Sequence, residues 1–386
     1  MLYATTARTH LGNIRRNLDG IRARVTADRP DRRVLLAVKA DGYGHGAVEV
    51  ARMVERTGCA DWLGVATVPE GLELRDAGVR LPILKLSGAL APDEMRAAIS
   101  AGITLAVTDA ANVDAVADAA RAVGRTASVH LKIDTGMRRI GAEPDAAPDL
   151  CRRVDAAGSL SLEGLFSHLP ISDTEDGRVF TAAQIGRFRA AAEASEAARG
   201  PIALKHLANS GGVLMHPDSW FDMVRPGIMA YGYLPDPTSD ATVALAPGLA
   251  WTTAVTFVKR VGAGETVGYG RTWTAPRDTW IATLCVGYGD GFSRLQSSNG
   301  RVLVGGRAYP VVGRVCMDQT MIDLGPDGGA AGVDAPRVRV GDEAVLIGRS
   351  GSEEITCQEV ADRMGTITYE VTCLINPRVT RTSDEA

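Results

Sequence analysis

The chain is predicted to be an α/β protein: a (β/α)8 TIM-type barrel over residues 1–236, then a mainly β domain over residues 237–386. Three observations lead to this. Apolar runs of strand length alternate with helical three- and four-residue periodicity through roughly the first 230 residues. No G-x-G-x-x-G follows the first strand, which removes the chief signature of a doubly wound open sheet. Beyond Leu234-Pro-Asp-Pro237 the helical periodicity gives way to short β-branched runs between glycine-rich turns.

In order, Leu11, Ile14, Leu18, Ile21 and Val25 describe an amphipathic helix feeding the first strand, Arg33-Val-Leu-Leu-Ala. Ala47, Val50, Ala51 and Val54 mark the next helix, closed by Gly58. Strand-like Trp62–Ala66, Pro82–Leu86, Thr104–Val107, Ser128–Ile133, Ser161–Phe166, Ile202–Leu207 and Met223–Arg225 complete the eight, with helices between them. In the second domain Trp251–Val258, Trp280–Val286, Arg301–Val304 and Val338–Ile347 read as strands and Glu359–Met364 as a short helix. The last dozen residues are expected to fray.

Composition narrows the function classes. A net charge of −4 with no concentrated basic block gives nucleic-acid binding no electrostatic support. The first ten residues lack a signal peptide's apolar core, and no apolar run is long enough to span a bilayer. The six scattered cysteines form no C-x-x-C pair, so neither a disulfide framework nor a metal site is expected; they read as the reduced thiols of a cytoplasmic protein.

Lys39 is the first candidate for chemistry. It stands where the first strand meets the glycine-rich Ala40-Asp-Gly-Tyr43-Gly-His-Gly46, and its stem leaves an apolar wall. A desolvated lysine loses its proton readily and becomes a nucleophile or Schiff-base amine, although a lysine opening a loop is ordinarily solvated. Only five lysines occur among 42 basic residues, so this chain keeps lysine where arginine does not serve. Other predicted strand ends bring His130, Lys132 and Asp134, then His168, Asn209-Ser210, and Arg225-Pro-Gly-Ile228. Such ends converge on one face of a barrel, where the loops after strands seven and eight commonly hold phosphate. A Schiff-base lysine opposite a phosphate cradle points to pyridoxal phosphate, for which racemisation, transamination and decarboxylation remain open. In the second domain Glu265-Thr-Val-Gly-Tyr269-Gly places a phenol between two glycines, free to reach across an interface; in isolation it reads better as a turn tyrosine in water.

Together these motifs resemble the alanine racemase family, almost end to end. Ala-Val-Lys39-Ala-Asp-Gly-Tyr43-Gly-His-Gly is similar to the family's lysine motif. Leu-Lys132-Ile-Asp-Thr-Gly-Met, Arg225-Pro-Gly-Ile228, Val-Gly-Tyr269-Gly and Cys316-Met317-Asp318-Gln319 are similar to further motifs in the same order. The resemblance implies pyridoxal 5'-phosphate held on Lys39 and a homodimer with active sites shared between subunits, Tyr269 of one facing the cofactor of the other. Lys39 and Tyr269 would be the two bases, Tyr269 for L-alanine and Lys39 for D-alanine. Arg225 would meet the pyridine nitrogen, with His168 orienting it. Arg139 would bind the cofactor's phenolic oxygen and the substrate, and Met317 the substrate carboxylate. Tyr43, Asn209, Ser210, Gly227, Ile228 and Tyr369 would hold the cofactor, chiefly at its phosphate, and Asp173, Tyr288 and Arg294 would line the entrance. Lys132 matches a position carbamylated in many relatives. The implied activity supplies D-alanine for peptidoglycan; the alternatives are a broader-specificity or serine racemase, or a non-catalytic cofactor-binding protein. Arg138 stands where the family commonly has glycine or a smaller residue, and Ser167-His168-Leu-Pro170-Ile-Ser-Asp173 departs from the common alanine-rich version.

Overall fold

The structure is a computed structural model that describes residues 3–326 and 337–384. Its chain divides into two compact units, one of Gly12–Ala246 and one of Met1–Leu11 with Pro247–Glu385.

In the first unit eight parallel strands form one sheet: β2 (Arg33–Ala37), β3 (Trp62–Val65), β4 (Ile83–Gly88), β5 (Ile103–Val107), β6 (Ala127–Lys132), β7 (Leu160–Phe166), β8 (Leu204–His206) and β9 (Met223–Val224). Neighbours in the sheet follow chain order except that β9 returns to β2, pairing Arg33 with Met223 and Val34 with Val224. The remaining seam, between β8 and β9, is stitched by Asp222 N–H to Lys205 O at 2.9 Å and Arg225 N–H to Ala208 O at 2.9 Å. The eight strands therefore make a near-closed TIM-type barrel. Its strands are apolar on both faces because helices cover the outside while side chains fill the inside. Leu35, Trp62, Leu84, Leu204 and Met223 form one interior cluster. Full burial of a side chain such as Leu35 stabilises by roughly 1.5–3 kcal/mol.

Helix boundaries follow local chemistry. Thr67 and Glu70 make a reciprocal capping box at the start of Val68–Asp76. Asp109 caps Ala110–Val123, which ends at Gly124 in the left-handed conformation.

The second unit is mainly β. Its nine-stranded sheet contains β1 (Thr6–Thr9), β10 (Leu249–Val261), β13 (Thr279–Leu284), β14 (Arg301–Val304), β15 (Arg307–Pro310), β16 (Thr320–Gly325), β17 (Glu343–Ser350), β18 (Glu353–Ile355) and β19 (Thr380–Ser383). A small ladder joins β11 (Thr266–Val267) to β12 (Trp273–Thr274). Val261, Val267, Ala275, Ile281 and Val312 pack together, Val267 coming from that ladder itself.

Two expectations need correction. The division at residue 236 assigned the N-terminus to the barrel, but β1 pairs antiparallel with β10 and parallel with β19. The last dozen residues do not simply fray, since Thr380–Ser383 satisfies its backbone groups against Thr6–Thr9. Both errors share one cause: a short terminal strand has little periodicity of its own and is specified by partners hundreds of residues away. The expected helix near residues 359–364 is present as Cys357–Met364. No helix among the described residues is long and apolar enough to cross a membrane.

Candidate active site

Lys39 lies just past β2, after Val38 has left the extended conformation, so strand alternation does not set its direction. Immediately after it the backbone enters a left-handed turn: Ala40, Asp41, Gly42 and Tyr43 have φ of 52°, 53°, 61° and 54°. Glycine adopts this shape freely, whereas the three residues with a Cβ each cost about 1–2 kcal/mol. The surroundings hold the turn. Gly42 N–H donates to Val38 O at 2.8 Å, and Gly44 N–H to Ala40 O at 2.9 Å. Asp41 Oδ1 accepts from Ala47 N–H at 2.9 Å, at the start of the next helix. Glu70 ties the turn to β3: one carboxylate oxygen accepts from Ala40 N–H at 2.7 Å, the other from Ala66 and Thr67 N–H at 2.8 and 3.0 Å.

Beside β2, Arg225 at the end of β9 begins a chain that runs to His206 on β8 and His130 on β6. Arg225 Nη1 donates to His206 Nδ1 at 2.9 Å, and His206 Nε2 lies 2.8 Å from His130 Nδ1. Arginine can only donate, so neutral His206 carries its proton on Nε2 and passes a hydrogen bond to His130. His130 then carries its own proton on Nε2, toward Glu163 Oε2 at 3.8 Å. Burial, reinforced by the Arg225 charge, lowers His130 to about 3 and His206 well below the usual histidine range. Arg225 also donates to Ser167 O at 2.6 Å and Leu207 O at 3.0 Å, with His168 Nδ1 at 3.4 Å. The expected partner His168 is thus present, but His206 makes the shorter contact. Burial lowers Arg225 to about 9, which leaves it a cation at neutral pH.

Lys132 projects from the end of β6 with its Nζ 4.4 Å from the Phe166 ring centre. Burial first, then Arg225 and Arg139, bring it down to about 7, with Asp134 opposing and Lys39 adding a smaller push. His168 is likewise depressed by burial, then by Arg225, Lys132, Arg139 and Lys39. Lys132 Nζ and Arg225 Cζ lie 4.4 and 5.5 Å from the same Phe166 ring centre, and His168 Nδ1 is 3.4 Å from Arg225, so these three groups gather at one place, where the charges of Arg139 and Lys39 also act on them. Arg139 is exposed beside Arg138, which has a φ of 56°, a backbone shape that glycine adopts without strain. Asp134 Oδ1 secures that loop through the N–H groups of Gly136 and Arg138 at 2.8 and 3.1 Å.

At the ends of β8 and β9, Gly227 and Met229 N–H converge on Ser210 Oγ at 3.0 and 3.4 Å. A Cβ on Gly227 would come within 2.6 Å of Tyr43 Oη, so only glycine lets the backbone approach here. Ile228 opens the following 3-10 turn and is fully buried. Asn209 is the helix cap: its Oδ1 accepts from Gly212 N–H at 3.0 Å and Ser172 Oγ at 2.7 Å, and its Nδ2 donates to Leu169 O at 2.9 Å. Its side chain therefore sets the position of Ser210. Burial, with Asp236 adding to it, raises the Asp173 carboxyl.

These donors fit pyridoxal phosphate. The cluster offers an amine, a hydroxyl-and-amide cradle with a phenol beside it, and a buried guanidinium, Arg225, whose acceptors are uncharged. Phosphate and the phenolate oxygen complement such a set. Among the described residues no group of three or more His, Cys, Asp or Glu side chains could hold a metal ion.

The other expected residues belong to the β unit. Tyr269 is 72% exposed in the 3-10 turn Tyr269–Arg271, between Gly268 and Gly270 with φ of 76° and 71°. The Arg314 guanidinium, missed in the sequence, lies against this turn, its Cζ 3.4 Å from where a Gly270 Cβ would stand. Tyr288 and Met317 are exposed and neighbours through the backbone, since Tyr288 N–H donates to Cys316 O at 3.0 Å. Arg294 is exposed in a short 3-10 turn, and Tyr369 lies in the helix Thr368–Cys373.

A near-closed parallel barrel with an amine and a cationic pocket at its rim, joined to a mainly β unit, defines a class of enzymes acting on amino groups. Comparison with known proteins specifies the family. The family description "Alanine racemase, N-terminal domain" matches residues 9–235, and "Alanine racemase, C-terminal domain" matches residues 249–383. The chain belongs to the alanine racemase family. It is 52% identical over 351 residues to the alanine racemase of Cutibacterium acnes, covering 91% of each chain. It is 44% identical to that of Symbiobacterium thermophilum over 98% of this chain and 96% of the relative. The solved alanine racemase of Clostridium difficile 630 superposes with a TM-score of 0.90 at 34% identity, covering 100% of this chain and 97% of the other.

Proposed function

We propose that the protein interconverts L- and D-alanine with pyridoxal 5'-phosphate, by a two-base mechanism, in the cytoplasm. In this reading it acts as a homodimer whose sites combine Lys39 from one subunit with Tyr269 from the other, and its product serves peptidoglycan synthesis. The observation that carries the reading is the gathering of Lys132, His168 and Arg225 around Phe166, with Lys39 at the end of the adjoining strand, in a chain whose two halves both match the alanine racemase family.

When bound, pyridoxal phosphate supplies an electron sink that acidifies the substrate's α-carbon. The chain's residues do the rest. Lys39 Nζ would hold the cofactor until the substrate's amine takes its place and leaves Nζ free to act as an acid or base; Tyr43, Ser210, Gly227, Ile228 and Tyr369 would bind the phosphate, with Asn209 fixing Ser210. Arg225 would face the ring nitrogen and, as a poor acid, would leave it unprotonated, restraining side reactions such as transamination. His168 and His206 hold Arg225 in place. Arg139 binds the phenolic oxygen and, with the Met317 amide, the substrate carboxylate. Tyr269 Oη removes the α-proton of L-alanine while Lys39 Nζ delivers a proton to the opposite face; the roles reverse for D-alanine. Asp173, Tyr288 and Arg294 narrow the entrance, and Tyr369 crowds the pocket in favour of a methyl side chain. A neutral fraction of Lys132 near pH 7 lets its amine add to carbon dioxide, losing one proton and gaining a carbamate that pairs with Arg139.

The test is borohydride treatment of the purified holoprotein followed by peptide mapping, with the label expected on Lys39. Tyr269→Phe is expected to slow solvent-deuterium exchange from L-alanine by roughly 10²–10⁴-fold while largely sparing exchange from D-alanine. A label on another lysine, or equal loss of exchange from both enantiomers, overturns the assignment. Comparing kcat/KM for alanine and serine fixes the substrate, and a preference for serine would replace it.

A further inference from the structure

The sequence Gly287-Tyr-Gly-Asp-Gly291 forms a loop whose one acid is fully buried. Four donors surround the Asp290 carboxylate: Tyr3 Oη at 2.8 Å and Arg378 Nε at 2.7 Å on Oδ1, Gly287 N–H at 2.8 Å and Arg378 Nη2 at 3.0 Å on Oδ2. Tyr3 is pushed up to about 12 by burial and by this carboxylate. Arg378 continues outward, donating Nη1 to Asp318 Oδ1 at 2.8 Å and Nη2 to Met317 O at 3.3 Å. The N-terminus, the central loop and the C-terminal segment thus meet at one ion pair beside Met317.

The loop grips its neighbour through main chain. Tyr288 N–H donates to Cys316 O at 3.0 Å and Gly289 N–H to Met317 O at 2.9 Å. A Cβ on Gly287 would stand 2.3 Å from Cys316 O, so that approach requires glycine, and one on Gly289 would stand 3.0 Å from Met317 O, a tight contact. Because a trans peptide sets N–H opposite C=O, carbonyls drawn toward the loop turn the Met317 and Asp318 N–H groups away from it. Among the described residues neither N–H meets an acceptor. Two successive outward amides are an anion site, but the Asp318 carboxylate next to them would repel an anion unless neutralised. Arg378 is the neutralising partner.

We propose that Asp290 and Arg378 are positioning residues for the substrate carboxylate: they lock the 287–291 loop against Cys316–Met317, so that the Met317 and Asp318 amides face the carboxylate, and Arg378 withdraws the Asp318 charge. The proposal rests on the assignment of Met317 to the substrate carboxylate, and it adds the Asp318 amide as a second donor. Tyr3 braces Asp290 from behind and touches nothing of the substrate.

The experiment compares holoenzyme variants with two probes, propionate (alanine without its amine) and ethylamine (alanine without its carboxylate), each by spectral titration and competitive inhibition. In Arg378→Lys and in Asp290→Asn the alanine KM and the propionate inhibition constant rise together by roughly tenfold. Ethylamine affinity and kcat stay within about twofold of wild type. Adding Asp318→Asn to Arg378→Lys recovers part of the propionate affinity, because the freed negative charge is gone. If Asp290→Asn does not fold, Arg378→Lys decides alone. Unchanged propionate binding in a folded Arg378→Lys protein, or an equal loss for ethylamine, overturns the inference. Met317→Pro separates it from its premise: propionate binding that survives removal of that amide overturns the Met317 assignment itself. Loss there with no change in Arg378→Lys overturns only the positioning role.

Discussion

Arg225 Nη1 and His206 Nδ1 lie 2.9 Å apart, and that one contact determines the proton positions of two buried imidazoles. Arg225 must donate, so His206 must accept at Nδ1 and donate from Nε2 to His130. The guanidinium is thereby held by a chain of neutral groups rather than by a carboxylate, and its charge stays available to a ligand.

His206→Phe keeps a ring able to stack on Phe166, which lies parallel to His206 at 5.0 Å, but removes the acceptor. Losing one acceptor of a buried cation costs about 1–3 kcal/mol. Displacement of Arg225 is expected to lower kcat roughly 10- to 100-fold with little change in KM. Steady-state kinetics check this, and a kcat within twofold of wild type would reject it.

Carbamate formation on Lys132 is expected to depend on pH. With its amine down at about 7, the reactive neutral form grows as pH rises from 6 to 8. Carbon-13 NMR in labelled bicarbonate should show a carbamate signal that strengthens over this range and is absent in Lys132→Arg. An unmodified amine at pH 8 contradicts the reading.

Acid should destabilise the barrel through His130. In the unfolded chain it binds a proton below about 6.5, whereas in the fold it stays neutral to about 3. Between those values the unfolded state holds more protons, so stability is full above pH 6.5 and declines as pH falls, by about 1.4 kcal/mol per unit. From pH 7 to pH 5 wild type should lose roughly 2 kcal/mol more than His130→Gln in urea unfolding. Identical losses would show that another group carries the effect.

Glu70 restrains the left-handed turn that presents Lys39. Glu70→Ala removes both the capping box and the acceptor for Ala40 N–H, at a cost of about 1 kcal/mol for the cap alone. The expected result is slower borohydride labelling of Lys39 in the holoprotein. Glu70→Gln, which still accepts from Ala40, should recover most of the rate. Equal labelling rates in all three proteins would remove Glu70 from any role at the site.

The barrel was legible in the sequence because each strand unit carries its own apolar run and each helix its own period. Lys39 was legible for a related reason, standing where a buried strand meets clustered glycine. The shape of its turn was not, since the left-handed conformation begins at Ala40 and Asp41, before the first glycine. Thr67-x-x-Glu70 was a readable cap signal, but nothing local linked its carboxylate to Ala40, thirty residues back. His206 looked like an ordinary strand residue, and only barrel closure brings it to Arg225. Asp290 likewise needed partners from both chain ends, which no window of sequence contains.

The pairing of β1 with both β10 and β19 has a consequence for biosynthesis. Thr6–Thr9 is made before the whole barrel segment, whereas both strands against which it packs, Leu249–Val261 and Thr380–Ser383, are made after it. The barrel segment between them can assemble during translation. The nine-stranded sheet must wait, its earliest strand unpaired until β10 is made and its β19 edge added later still. A fragment starting at Pro247 would never receive that strand, so the β unit is not separable as a simple C-terminal piece.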